Sequence, residues 1–179
     1  MQDNNSNTGI LLGTKSVACI IYNGHHEYQV KVTAEIKDGI GCHITGIPDK
    51  NIKELLLRVL TALQSIGYTL PSKKIIVSVD GFSDGWSTKE LDLPVAVSIY
   101  ALQKGVFLDT DGVLLTGGLS LTGELNEVNG AVHLSSFAKR HGKKIFLPKR
   151  QYLANLSKHY IGAIPADNLR EIINYLDNF

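Results

Sequence analysis

Residues 95–104, Val-Ala-Val-Ser-Ile-Tyr-Ala-Leu-Gln-Lys, are apolar on nearly every face of the helix they would form. A helix without a polar face has to lie at the centre of a fold, covered on all sides. Asp92-Leu93-Pro94 just ahead of it reads as a helix start, with an acid and a proline in the first turn. The chain must therefore supply a sheet and further helices to wrap this element. Its 179 residues suffice: a domain of that size buries roughly 70% of its unfolded surface, so neither disulfide nor metal is needed to hold it. The run 91–102 is interrupted by Asp92, Pro94 and Ser98 and falls short of the ~20 residues of a membrane span.

The wrapping elements can be read from hydrophobic period. Residues 16–22 and 27–36 alternate or are β-branched, and Asn23-Gly24 between them signals a β-hairpin. A further strand at 42–47 follows the turn Lys37-Asp38-Gly39, which predicts a three-stranded meander. The period then changes to 3.6: Ile52, Leu55, Leu56, Val59, Leu60, Leu63 and Ile66 form one helical stripe, with Asp49 as the candidate N-cap and Gly67 placed to end it. Residues 73–79 read as a buried strand, and 80–90 as a long loop. Beyond the central helix come a hairpin (113–121 and 124–128 about Thr122-Gly123), a helix at 131–141, a strand at 144–147 and a helix at 149–156. A strand at 160–164 and a helix at 168–176 capped by Asp167 complete the pattern. Mixed hairpins and helices fit an α+β fold better than a doubly wound sheet. The polar start predicts a flexible leader over 1–13 and a single domain over 14–179.

Few motifs carry chemistry. Gly9-Ile10-Leu11-Leu12-Gly13-Thr14-Lys15-Ser16 has the residues of a phosphate loop without its spacing, and a strand rather than a helix follows. The six histidines show no metal-ligand spacing, and Cys42-His43 would point to opposite faces of a strand. Ser135, Ser136 and His133 lack a nucleophile elbow. No metal or cofactor is expected. Cys19 and Cys42 lie in apolar segments, and no secretory signal pattern opens the chain, which favours a reducing cytoplasm. Net charge is only +1, yet residues 128–166 hold no Asp or Glu while carrying Lys139, Arg140, Lys143, Lys144, Lys149, Arg150 and Lys158. That stretch is a candidate basic patch, suited to weak, sequence-independent contact with nucleic acid or to an acidic partner.

The order of several short motifs resembles one family. Gly46-Ile47-Pro48-Asp49, Lys53-Glu54 with Arg58, and Gly67-Tyr68-Thr69-Leu70-Pro71 are followed by Leu91-Asp92-Leu93-Pro94-Val95-Ala96. Next come Gly118-Leu119-Ser120-Leu121-Thr122-Gly123-Glu124-Leu125 and Ile145-Phe146-Leu147-Pro148, and the series closes with Ile164-Pro165 and 168–173. Together they are similar to the N-terminal domain of the ComM/YifB, or magnesium-chelatase-like, proteins. The resemblance implies a Lon-protease-like α+β fold, as in Lon proteases and the C-terminal domain of RadA. It also implies an AAA+ ATPase module, which this chain would have to find on another polypeptide because no Walker pattern follows. A homo-oligomeric ring is the other assembly implied.

Lon proteases use a Ser-Lys dyad; setting the segments against theirs puts Pro94 at the serine position and Val132 at the lysine position. The resemblance thus implies a non-peptidase member. The family's loop pattern is replaced here by Ser78-Val79-Asp80-Gly81-Phe82-Ser83-Asp84, then Trp86 and Lys89-Glu90, and its usual Gly-Glu-Leu-Ser has Gly118 for the glutamate. Phe82, Ser83, Asp84, Trp86 and Lys89 make a candidate interaction loop, with the aromatics as exposed anchors. The rival expectation is a divergent serine hydrolase that has moved its nucleophile to Ser83, Ser87 or Thr88, with Lys89 as base.

Overall fold

The computed structural model describes residues 13–104, 112–155 and 162–178. Residues 1–12 of the expected leader over 1–13, Lys158 and the start of the expected strand at 160 lie outside the described residues. In chain order the elements are β1 (Lys15–Tyr22), β2 (Glu27–Lys37), β3 (Gly41–Thr45), α1 (Asp49–Ser65) and β4 (Lys74–Asp80). A 3-10 turn (Lys89–Leu91) leads into α2 (Asp92–Lys104), followed by β5 (Val113–Leu114), α3 (Ala131–Arg140) and β6 (Lys144–Pro148). The chain ends with α4 (Lys149–Asn155), β7 (Ala163–Ala166) and α5 (Leu169–Asp177). The result is a mixed α+β domain with a four-stranded sheet in the order β1-β2-β4-β3 and a three-stranded parallel sheet, β5-β6-β7.

The β1–β2 hairpin closes on Asn23, whose side-chain Oδ1 accepts from the His25 and His26 backbone N–H groups at 3.0 and 2.9 Å. β1 is buried on both faces: Cys19 and Ile21 join the main core while Ile20 joins a second core with Leu114, Leu134 and Leu147. This two-sided burial is why β1 reads as continuously apolar rather than alternating. The expected three-stranded meander is corrected by the pairing. β4 inserts antiparallel to β2, and β3 runs parallel to β4, with α1 as the crossover that a parallel pair needs.

α1 buries Leu55, Val59, Ala62 and Leu63. It ends at a Schellman turn in which Gly67, at φ +86°, donates to the Gln64 carbonyl while Tyr68 donates to that of Leu63. The N-cap of α1 is Pro48, not the expected Asp49, which is the first helical residue and puts an acid in the first turn. In α5 the cap is Asn168 rather than the expected Asp167: the Asn168 side chain accepts from the Glu171 N–H at 3.0 Å. α2 is buried from Leu93 through Ile99 and lies against β1, β2 and α1, as its sequence demands.

Of the hairpin expected at 113–121 and 124–128 the tip forms: Leu119 bridges Leu125, and Ser120 donates to the Glu124 carbonyl and Asn126 to that of Gly118, each at 2.9 Å, while Val113 and Leu114 leave it to form β5. The backbone groups at the start of its first arm are used elsewhere. Leu115 donates to the Ala18 carbonyl at 2.9 Å and accepts from Ile20, and Gly117 donates to Glu90 and accepts from Leu93. The segment that sequence reads as a strand is thus stitched between β1 and the head of α2.

Candidate functional site

The head of α2 is fixed by a buried ion pair. Asp92 is fully buried and accepts from Arg58 through Nε at 2.7 Å and Nη2 at 3.0 Å, and from the Leu119 N–H at 3.1 Å. Burial pushes the Asp92 carboxyl above its usual range, and the Arg58 fork and Leu119 N–H draw it part of the way back. Arg58 also holds Glu54, one turn earlier on α1, at 2.8 Å. One carboxylate therefore pins α1, α2 and the segment around Leu119 together.

Beside this anchor lies a polar cleft of two adjoining cavities, about 300 and 410 Å³, which share Ser87, Glu90 and Asn129 in their walls. One wall is the end of the 81–88 loop, and the opposite wall is the 126–130 loop. Gln151 of α4 clamps the latter as a strand would, accepting from the Val128 N–H at 3.1 Å and donating to the Val128 carbonyl at 2.8 Å. Gly130, at φ +67°, begins α3, and the Tyr22 ring lies where its Cβ would be. Gly118 also opens the cleft: a side chain there would meet Asn126 at 3.2 Å. Glu90 Oε2 is buried with no hydrogen-bond partner. Its charge, added to the dominant effect of burial, pushes the Cys19 thiol far above its usual range.

The residues singled out from sequence distribute unevenly about this cleft. Pro94 sits in the buried first turn of α2 between Leu93 and Val95, so a slip of one residue either way still offers no nucleophile. Val132 is 53% exposed in the first turn of α3. Phe82 and Trp86 are not free anchors, because both are half-buried and pack on the main core. Trp86 meets Phe82 edge-on at 5.6 Å and Tyr28 at 4.6 Å, and burying such rings is worth more than solvating them. Ser83, Asp84 and Lys89 are exposed. The Ser87 hydroxyl accepts from the Lys89 backbone N–H at 3.2 Å, and Thr88 is buried.

The acid-free stretch of sequence is not an acid-free surface. Arg140 pairs with Glu27 at 3.5 Å, and Lys149 pairs with Asp167 and Glu171, each at 3.0 Å. Those carboxylates raise the Lys149 ammonium above its usual range. Lys144 donates to the Tyr175 hydroxyl at 3.2 Å, and half-buried Lys143 lines a separate hollow with Asp80. Lys139 and Arg150 are exposed. Acids from β2 and from residues 167–171 fold back over the cations, which sequence distance concealed.

Sequence reasoning missed Glu90, Asn126 and Asn129. The available signal was a carboxylate at the junction between a polar loop and an all-apolar helix, a place where burial is expected and a partner is needed. Among the described residues no group of three or more His, Cys, Asp or Glu is arranged to hold a metal ion, and no helix is long and apolar enough to cross a membrane.

Fold and site define a mixed α+β domain with a polar cleft at the head of its buried helix. The ChlI family, described as subunit ChlI of Mg-chelatase, matches residues 30–151, and the chain belongs to that family. It is 29% identical over 150 residues to the uncharacterized protein YifB of Escherichia coli (strain K12), a match covering 83% of this chain and 30% of the relative. The YifB protein of Salmonella typhimurium gives 28% over 152 residues, again 83% and 30% of the two chains. Competence protein ComM of Haemophilus influenzae gives 27% over 113 residues, 62% of this chain and 22% of the relative. The chain thus spans less than a third of the length of these relatives.

Proposed function

We propose that this chain is a non-catalytic Lon-like domain that binds without cutting, working as an assembly module for an AAA+ ATPase of its own family. The observation that carries this reading is the identity of the residues at the two positions where Lon proteases keep their dyad. Where the resemblance to Lon proteases puts the catalytic serine, the first turn of α2 presents Leu93, Pro94 and Val95. Where it puts the lysine, α3 presents Val132. The cleft itself is lined by Gly118, Asn126 and Asn129, the carboxylates Glu90 and Glu127, and Ser87 with Lys89, where the Lys89 backbone N–H donates to the Ser87 hydroxyl.

Activity and co-elution assays on the full chain test it. Casein and fluorogenic peptides are expected to survive incubation uncut, and a serine-reactive phosphonate is expected to leave the chain unlabelled. Turnover that disappears in Ser83→Ala, Ser87→Ala or Thr88→Ala would replace this reading with the divergent hydrolase. Co-elution with the AAA+ portion of a YifB or ComM relative, with a changed ATPase rate, is the expected sign of assembly. Co-elution with short duplex DNA alone would move the chain to a nucleic-acid role.

A further inference from the structure

We propose that the smaller of the two cleft cavities is a recognition pocket for a single organic cation, the ammonium or guanidinium of a basic side chain. The inference rests on the reading of the cleft as a binding groove and names what it binds. The cavity, about 300 Å³, has Tyr22, Trp86, Glu90 and Asn129 among its lining residues. A volume at the low end of small-molecule sites suits one side-chain head and its stem.

Three features set the preference. Glu90 lines both cavities and its Oε2 has no hydrogen-bond partner in the chain, which leaves the carboxylate with acceptor capacity for a donor. The other buried side-chain oxygens without partners, on Thr116 and Ser135, are neutral hydroxyls. Aromatic faces attract cations, and Tyr22 and Trp86 are both held: Tyr22 stacks on His133 at 4.6 Å and Trp86 is braced by Phe82 and Tyr28. The charged groups lining the two joined cavities are Glu90, Glu127 and Lys89, two carboxylates against one ammonium, so the cleft is net negative. The larger cavity continues past Asn126 and Asn129, whose amides suit the backbone on either side of a basic residue.

Trp86 is the single tryptophan of the chain and so reports binding by its own emission. The full chain is titrated with Nα-acetyl-arginine amide, Nα-acetyl-lysine amide and the isosteric but neutral Nα-acetyl-citrulline amide. Saturable quenching or shift by the cationic amides is expected, with citrulline at least about tenfold weaker, the value of one charge-assisted contact. Glu90→Gln should weaken the arginine amide by about tenfold or more while leaving the thermal midpoint the same or higher. Citrulline binding as well as arginine on the native chain, or full arginine affinity in a folded Glu90→Gln, overturns the pocket. Spermidine and an arginine-containing heptapeptide separate the sources: tighter peptide binding assigns the cation to a protein, and tighter spermidine binding assigns it to a free polyamine, each within the cation site. Cleavage of the heptapeptide would overturn the non-catalytic reading and leave the pocket standing; citrulline parity would do the reverse.

Discussion

The helix α2 and the cleft at its head differ in how completely they satisfy themselves. From Leu93 to Ile99 every residue of α2 is buried, and its one charged anchor, Asp92, has all its partners inside the chain. A few residues away, Glu90 has a buried oxygen with none. Both carboxylates sit on the same turn of chain in the same fold, so the contrast is one of purpose: Asp92 holds three segments together, and Glu90 is left for something outside. Natural chains keep such unpartnered groups where function requires them and stabilise themselves elsewhere.

Breaking the satisfied side should cost most. Asp92→Ala strands Arg58 in a partly buried site, and losing one member of such a pair costs about 3–5 kcal/mol in urea unfolding. Arg58→Met leaves Asp92 buried alone with its carboxyl raised still further. The native state then holds that proton more tightly than the unfolded chain, so the variant's deficit is smaller at acid pH and grows as pH rises through the folded-state pKa. Unfolding midpoints at pH 5 and pH 8 check the sign.

The same comparison can be sharpened along α1. Leu55→Ala removes a fully buried side chain and should cost about 2–5 kcal/mol, whereas Leu57→Ala, at a site 61% exposed, should stay within about 0.5 kcal/mol. On the unsatisfied side the sign reverses. Glu90→Gln relieves a buried charge without a partner and should raise stability by up to about 1 kcal/mol in the same assay. The smallest effects are chemical: burial pushes the Cys42 thiol up to about 11 and Cys19 further, so neither should react appreciably with iodoacetamide at pH 7 in the folded chain. Mass spectrometry before and after unfolding reads this directly.

How far the sequence disclosed the molecule follows the same division. Elements defined by local period were legible: the stripe from Ile52 to Leu63, the hairpin at Asn23-Gly24 and the apolar run of α2 all formed where residue spacing placed them. Pairing across distance was not. The insertion of β4 beside β2 depends on α1 acting as a crossover, and the start of the expected hairpin after residue 113 pairs with Ala18, Glu90 and Leu93 while only its tip closes on itself, contacts without a local signature. The cleft was harder still, since Glu90, Asn126 and Asn129 are unremarkable singly and meet where Gln151 and the Gly118 carbonyl hold the 126–130 segment. The basic stretch misled for the converse reason: its nearest acids, Glu27 and Glu171, lie outside it in sequence and beside it in space.

The most direct test of a cleft that binds without cutting is to incubate the full chain with unfolded casein, follow Trp86 emission, and weigh the casein afterwards by mass spectrometry. The account predicts a saturable change in emission and casein recovered at its full mass. Fragments that disappear in Ser87→Ala would contradict it.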